Sequence, residues 1–425
     1  MEEKVTVLFP GVRLTALRTD RFHSGCFLLQ LQRPLCREEA SRNALLMSVL
    51  RRGTRTRPDM ESISHTLDSL YGAALEPSLR QRGEVMSIGF QAVFPDDRFL
   101  PEGENCLEQV IALAGEMLLD PATRGGLLRD EYVRSEGQNL HDRVAAAVNN
   151  KRGYALKRAR ELMFAGEAYG IYPLGEAEEA LRIRHRTLTE HYRMVLQTSP
   201  MELFYCGSAE AQRVEEAVRR ALMTLPGSSA QRPLPVTVPA GAAGELRHIT
   251  ERMDVEQGNL VIGFRRDRRG DADYPALMVF NELFGGGPAS RLFMNVREKR
   301  SLCYYVGSSV DQFKESMTVS AGIAFDRAEE TEEAILGELA RLAKGDISAE
   351  DLATAKKSVA SDYLSAQDSP AAIGTFRLSQ SLLGSGEDLR QFALRVSGVT
   401  AEEVARIAGE MAPDLVYFLR KGEAE

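Results

Sequence analysis

The strongest constraint on this 425-residue chain is that one order of elements occurs twice, on either side of a proline-rich segment. That segment runs from Pro226 to Glu245 (PGSSAQRPLPVTVPAGAAGE). Its four prolines, with glycines and alanines between them, exclude a helix or a central strand. Prolines also stiffen a chain toward extended conformations, so the segment reads as a semi-rigid tether. The chain therefore divides into an N-terminal domain over residues 1–225, a linker over 226–245 and a C-terminal domain over 246–425.

Each half opens on an apolar strand, CFLLQLQ from Cys26 and GNLVIGFRR from Gly258. A helix with apolar residues at three-to-four spacing follows, Asn43 to Leu50 in one half and Pro275 to Phe284 in the other. Each helix runs into glycine, at Gly53 and at Gly285-Gly286-Gly287. A second helix comes next, from Met60 or from Ser290, and then two alternating strands that read as a hairpin. Helices from Glu215 and from Ala401 close the halves. The expectation is an α+β fold of two homologous α/β-roll domains. Each would be an antiparallel-rich sheet packed by helices on one face.

Composition narrows the function. With 53 basic and 61 acidic residues the formal charge is −8, which argues against a nucleic-acid partner. No run approaches the roughly 18 apolar residues that span a bilayer, and the N-terminus MEEKVTVLF lacks a basic-then-apolar leader. The five cysteines at 26, 36, 106, 206 and 303 are odd in number and widely spaced. They suit free thiols in a reducing cytoplasm. Cys303 reads as a buried structural thiol because no downstream histidine could activate it. The run Arg265 to Gly270 (RRDRRG) reads as a solvated turn after a strand.

The sharpest local signature is FGGGPASRLFMNVREKRSLCYYVGSS, Phe284 to Ser309. It resembles the C-terminal half of pitrilysin/insulinase-like zinc peptidases, in which a glycine turn precedes an S-R-L-F helix and an arginine is followed seven residues later by a tyrosine. Those positions are Arg297 and Tyr304 here. The resemblance extends through Asn149–Ile183 and Leu188–Gly207, and it implies that Arg297 and Tyr304 contact a substrate carbonyl held at a zinc site elsewhere. A guanidinium and a phenol are both donors, and donors aimed at a developing oxyanion lower the barrier to acyl transfer.

An active member of that family carries H-x-x-E-H on its first helix, where two histidines one turn apart hold zinc and the glutamate activates water. Aligned on Gly53-Thr54, the motif positions fall on Ala44, Met47 and Ser48; a one-residue slip gives Asn43, Leu46 and Met47. Neither register supplies an imidazole or a carboxylate. His23, His65 and His141 are isolated, and His185 and His191 are six apart, on different helix faces. The family's distal glutamate ligand would correspond to Glu136 or Glu131, which alone make no metal site. No cofactor is therefore expected on this chain, and zinc is expected in a partner.

Three functions compete. The resemblance implies a non-catalytic, cytoplasmic subunit of a heteromeric zinc-dependent peptidase, acting on a peptide substrate beside a homologous zinc-motif-bearing chain, with self-association as a homodimer left open. The alternative is a peptidase-like scaffold or maturation-associated binding protein with no proteolytic role. An active metallopeptidase with a displaced site would need a histidine cluster that the six scattered histidines do not offer. Limited proteolysis tests the division into halves: the first cut is expected within 226–245, and a first cut elsewhere would reject that boundary.

Overall fold

The computed structural model describes residues 2–226, 233–236, 238, 240–266 and 274–422. Residues 227–232, 237 and 239 of the expected linker lie outside the described residues, as do residues 267–270 of the basic run.

The first half begins with β1 (Glu2–Phe9), β2 (Val12–Arg18) and β3 (Ser24–Pro34). Then come α1 (Arg37–Leu50), α2 (Met60–Ser69) and the hairpin β4 (Ala74–Arg82) and β5 (Val85–Pro95). It continues through α3 (Leu107–Leu119), the two-residue strands β6 (Thr123–Arg124) and β7 (Leu127–Leu128), and α4 (Asp130–Ala146). Next are α5 (Lys151–Met163), α6 (Ala177–Arg182), α7 (His185–Thr198), β8 (Met201–Gly207) and α8 (Ala211–Ala221). The second half runs β9 (Arg247–Met253), β10 (Gly258–Arg266), α9 (Tyr274–Asn281), β11 (Cys303–Asp311) and β12 (Ser316–Ile323). It closes with α10 (Ala328–Ala343), α11 (Ala349–Ser365), α12 (Pro370–Leu382), α13 (Leu389–Gly398), α14 (Ala401–Glu410) and β13 (Met411–Lys421).

Pairing makes the duplication explicit. One sheet is ordered β1-β2-β8-β3-β5-β4 and the other β9-β13-β10-β12-β11. Strand β2 runs parallel to β8 as β9 does to β13, and every other neighbour from β8 to β4 and from β13 to β11 is antiparallel. The two halves are one fold with one extra edge strand, β1, in the first. This equivalence corrects the pairing of closing helices: α14 leads directly into β13, so its counterpart is α7, which leads into β8, and not α8.

The compact units cut across the two halves. The first consists of Met1–Ala145, Ile171–Val236 and Gln367–Gly386; the second consists of Ala146–Gly170, Thr237–Ala366 and Glu387–Glu425. Helix α5, encoded in the first half, thus belongs to the second unit, and α12, encoded in the second half, belongs to the first. The reason lies in the central strands. All nine residues of β10 are buried, and nine of eleven in β3. Strand side chains alternate between faces, so each sheet needs apolar cover on both sides, and not on the single face expected from sequence. In the first unit, Phe27, Leu29 and Leu31 join the core with α1 and α3. On the other face Leu28 and Phe204 meet α12, at Gly374, where an added Cβ would lie within 2.7 Å of both. In the second unit, Ala155, Ala159 and Met163 of α5 pack on Val261, Leu415, Tyr417 and Leu419.

Capping sets several of these helix starts. Asp388 and Gln391, and Thr400 and Glu403, form reciprocal capping boxes at α13 and α14. Ser369 accepts from Ala372 N with Pro370 opening α12.

The segment after α5 is tied to its sheet by buried charge. Arg265 and Arg266 are not a solvated turn: both lie inside β10 and are buried. Glu167 receives Arg265 Nη1 at 2.8 Å and Lys314 Nζ at 2.6 Å. Asp414 sits 3.3 Å from Arg265 Nε, and Glu410 2.7 Å from Arg266 Nε. Phe164 underlies two of these cations, 4.5 Å from the Arg265 guanidinium and 5.4 Å from Lys314 Nζ. Removing one partner of a buried ion pair costs more than the pair contributes, because a desolvated charge is left behind. Glu167→Ala should therefore lower unfolding free energy by about 2 kcal/mol, discounted because this carboxylate is partly exposed. Urea denaturation checks this, and an unshifted midpoint would remove the network from the account of stability.

Candidate functional site

The positions that would carry zinc face the core. Ala44 and Met47 lie on α1 inside the first unit's apolar cluster, each 2% exposed. Ser48 is half-buried and its hydroxyl turns back to the Ala44 carbonyl at 3.4 Å. The slipped register fares no better. Leu46 is buried, and the buried Asn43 side chain accepts from His191 Nε2 at 2.8 Å. His191 on α7 is thus committed to a structural bond, while His185 sits 3.0 Å from Asp130 Oδ1.

Glu136 on α4 is paired with Arg52 just past the end of α1, Nη1 to Oε1 at 3.0 Å, and also accepts from Asn139. The Arg52 guanidinium lies over the Tyr132 ring at 5.0 Å. A fixed monocation stands against the glutamate that the family would use as a distal ligand. Glu131 is exposed. Among the described residues no group of three His, Cys, Asp or Glu side chains could hold a metal ion.

Arg297 and Tyr304 both lie in the second unit. Helix α9 widens into a π-helical turn over Glu282–Gly286, and the second helix, read as α from its spacing, is π-helical over Leu292–Lys299. Such wide turns are rare and often sit at functional sites. Arg297 lies in the second, its guanidinium 4.5 Å from the Phe293 ring centroid and 3.6 Å from Glu298. The helix stops at Ser301, whose φ of +50° is left-handed; its N–H donates to Arg297 O at 3.0 Å, and Leu302 N–H donates to Val296 O at 3.1 Å.

Strand β11 starts two residues later with a bulge. Cys303 stands opposite Ile323 and Tyr305 opposite Gly322, so Tyr304 is the extra residue. A bulge re-aims the side chain it extrudes, and Tyr304 is 69% exposed. Its neighbours turn inward. Burial pushes the Cys303 thiol up to about 11 against the pull of Arg297, and Tyr305 donates to Asn259 at 2.9 Å. Cys303 is therefore a protonated core residue and no nucleophile. All five cysteines are free thiols.

Beyond Tyr304 the same strand borders a groove of about 760 Å³. Its walls are α5, the Gly285–Gly287 turn and the β11–β12 hairpin. It is lined by Arg152, Lys157 and Arg160, side chains that sequence reasoning missed. Their signal was present as basic residues along one helix, but nothing local said that α5 would lie on the second sheet. Among the described residues no helix is long and apolar enough to cross a membrane.

Two domains of one topology, with alanine, methionine and serine where a first-helix zinc motif would stand, define an M16-like peptidase fold. Residues 182–359 match the family described as peptidase M16 inactive domain, a range that contains the Phe284–Ser309 signature. The chain is homologous to a probable inactive metalloprotease, YmfF, of Bacillus subtilis, 29% identical over 97% of this chain and 96% of that one. A conserved protein from Enterococcus faecalis has the same fold, with a TM-score of 0.90 at 24% identity and full coverage of both chains. A peptidase M16 inactive domain protein from Pseudomonas fluorescens is also alike, with a TM-score of 0.79 at 15% identity over 100% of this chain and 99% of that one.

The α1 positions generate a metal test. Chelator-washed protein should hold no stoichiometric zinc, read by elemental analysis, since none of Ala44, Met47 and Ser48 is a ligand. Ala44→His/Met47→Glu/Ser48→His leaves Glu136 tied to Arg52, so adding Arg52→Ala should raise zinc affinity about tenfold further, the usual scale of an outer-shell effect. Zinc bound tightly by the unaltered chain would reject this reading.

Proposed function

We propose that this chain is the non-catalytic subunit of a heteromeric zinc-dependent peptidase. It contributes Arg297 and Tyr304 to a peptide whose scissile carbonyl is held at zinc on a homologous H-x-x-E-H chain. The observation that carries the reading is the contrast between the two sites. Ala44 and Met47 on α1 are closed into apolar core and Ser48 turns back on its own helix, while a left-handed helix stop and a strand bulge set a tyrosine out in solvent seven residues after an arginine.

The chemistry divides naturally between two chains. Zinc, the water it binds and the base that takes that water's proton must sit together on one chain. Donors to the developing oxyanion only need to arrive from the other side of the carbonyl. Arg297 offers a fixed fork of N–H donors and Tyr304 a single O–H. A cytoplasmic location belongs to the same proposal, and so does the possibility that the chain also pairs with itself.

Mixing this chain with its zinc-bearing partner should yield peptidase activity that neither shows alone. Loss of one oxyanion donor costs about a hundredfold to a thousandfold in turnover, so Arg297→Ala or Tyr304→Phe should reduce kcat by that order. Both variants should still pair with the partner by size-exclusion chromatography. A mixed complex whose activity is untouched by both substitutions would make the pair incidental and leave the chain as a peptidase-like scaffold.

A further inference from the structure

The groove beside β11 is charged in a way that nothing above uses. Along α5, Arg152, Lys157 and Arg160 all line it; Lys157 and Arg160, three residues apart, are neighbours on the helix surface, and Arg152 joins them from the first turn. Opposite them the β12 hydroxyls Ser316, Thr318 and Ser320 form a second row. Arg152 is held in place rather than free to swing, since its guanidinium lies 4.3 Å from the Tyr305 ring centroid and its Nη2 is 3.3 Å from Ser320 Oγ. Lys157 is 3.7 Å from Glu161, but that carboxylate is shared with Arg158 at 2.7 Å. Arg158 itself pairs with Glu251, also at 2.7 Å.

Among the described residues the groove has one lining carboxylate, Asp311, and it is occupied locally. It accepts from Phe313 N at 2.9 Å and Lys314 N at 2.8 Å in its own turn, and from the Tyr169 hydroxyl. Among the described residues, three cations and one already bonded acid thus line the cleft. The N-terminal turn of α5, where Arg152 sits, adds the positive end of a 13-residue helix. This concentration of positive charge stands on a chain of net charge −8. Long polyanions are repelled by such a chain as a whole, whereas a short ligand feels chiefly the local field of the cleft.

We infer that this groove binds an acidic peptide segment, its Asp or Glu carboxylates meeting Arg152, Lys157 and Arg160. This gives the preferred substrate class of the peptidase pair and rests on the reading of the chain as a peptidase subunit. The groove begins two residues beyond Tyr304 on the same strand and includes Phe293, on which Arg297 lies. An acidic stretch flanking the scissile bond would thus be held by side chains adjoining the carbonyl donors.

The test uses the full chain and a short fluorescein-labelled peptide alternating glycine with glutamate, against the same peptide with glutamine or with lysine, read by anisotropy. The glutamate peptide should bind at least about tenfold more tightly than the glutamine peptide, two or three half-exposed ion pairs being worth that much together. The preference should shrink as ionic strength rises. Lys157→Gln/Arg160→Gln should cut it about fivefold, and Lys157→Glu/Arg160→Glu should reverse it toward the lysine peptide. Thermal melts matching the unaltered chain establish that both variants fold.

Equal binding of the glutamate and glutamine peptides would overturn the assignment, as would a preference that survives charge reversal. A single-stranded oligonucleotide that displaces the labelled peptide better than unlabelled glutamate peptide does would overturn it in favour of a nucleic acid. Because no partner or zinc is present, failure here leaves the carbonyl-donor proposal standing. An inactive mixed complex would reject that proposal without touching the binding result.

Discussion

A sheet whose central strand is buried on both faces must be covered twice, and this requirement governs the architecture. Strands β3 and β10 are buried nearly end to end, yet the helices that follow each strand in its own half cover one face only. The second cover comes from α12 for the first sheet and from α5 for the second, a reciprocal exchange that matches the duplicated topology. Small residues make it possible. Ala155 and Ala159 let α5 lie close to its sheet, and Gly374 lets α12 approach Leu28 and Phe204. Glu167, set between Arg265 and Lys314, fixes the end of the exchanged segment.

Much of this was legible in the sequence, and what was not has a physical cause. Alternation around Cys26 and Gly258 located both central strands, and the repeated order of helix, glycine, helix and hairpin revealed the duplication. Period alone cannot report which sheet a helix will cover, so α5 and α12 were read with their own halves. It also cannot distinguish α from π winding, because Leu292, Val296 and Lys299 suit either. Arg265 and Arg266 looked solvated because a run of arginines is ordinarily a surface feature. Their acids, Glu167, Asp414 and Glu410, lie roughly a hundred residues or more away and could not be paired with them by inspection. That Ala44, Met47 and Ser48 offer neither imidazole nor carboxylate is a matter of sequence and needs no geometry. The counter-charge that Arg52 sets on Glu136 was not legible there.

The two candidate regions differ in how they spend backbone. On α1 the chain is regular and its would-be metal positions pack as any core helix packs. Around Arg297 the backbone is irregular three times within a dozen residues, through a π-helical turn, a left-handed serine and a bulge. Each irregularity gives up some regular hydrogen bonding or enters sparsely populated backbone space. Their combined effect is to end a helix abruptly and to turn one aromatic side chain outward from an otherwise inward-facing strand start.

The exchange of α5 and α12 also dictates how the protein must come into being. As the chain emerges from the ribosome, the first sheet can form once β8 is made, but the face bearing Leu28 and Phe204 stays bare until residues 370–382 follow. Helix α5 in turn waits for β10 and β13, the latter ending at Lys421. Neither unit is complete until segments from both halves have been made. Either half expressed alone would carry an orphan helix and an uncovered sheet. The contacts that close each sheet, such as Gly374 with Leu28, join residues far apart in the chain, and folding slows as such contacts come to dominate.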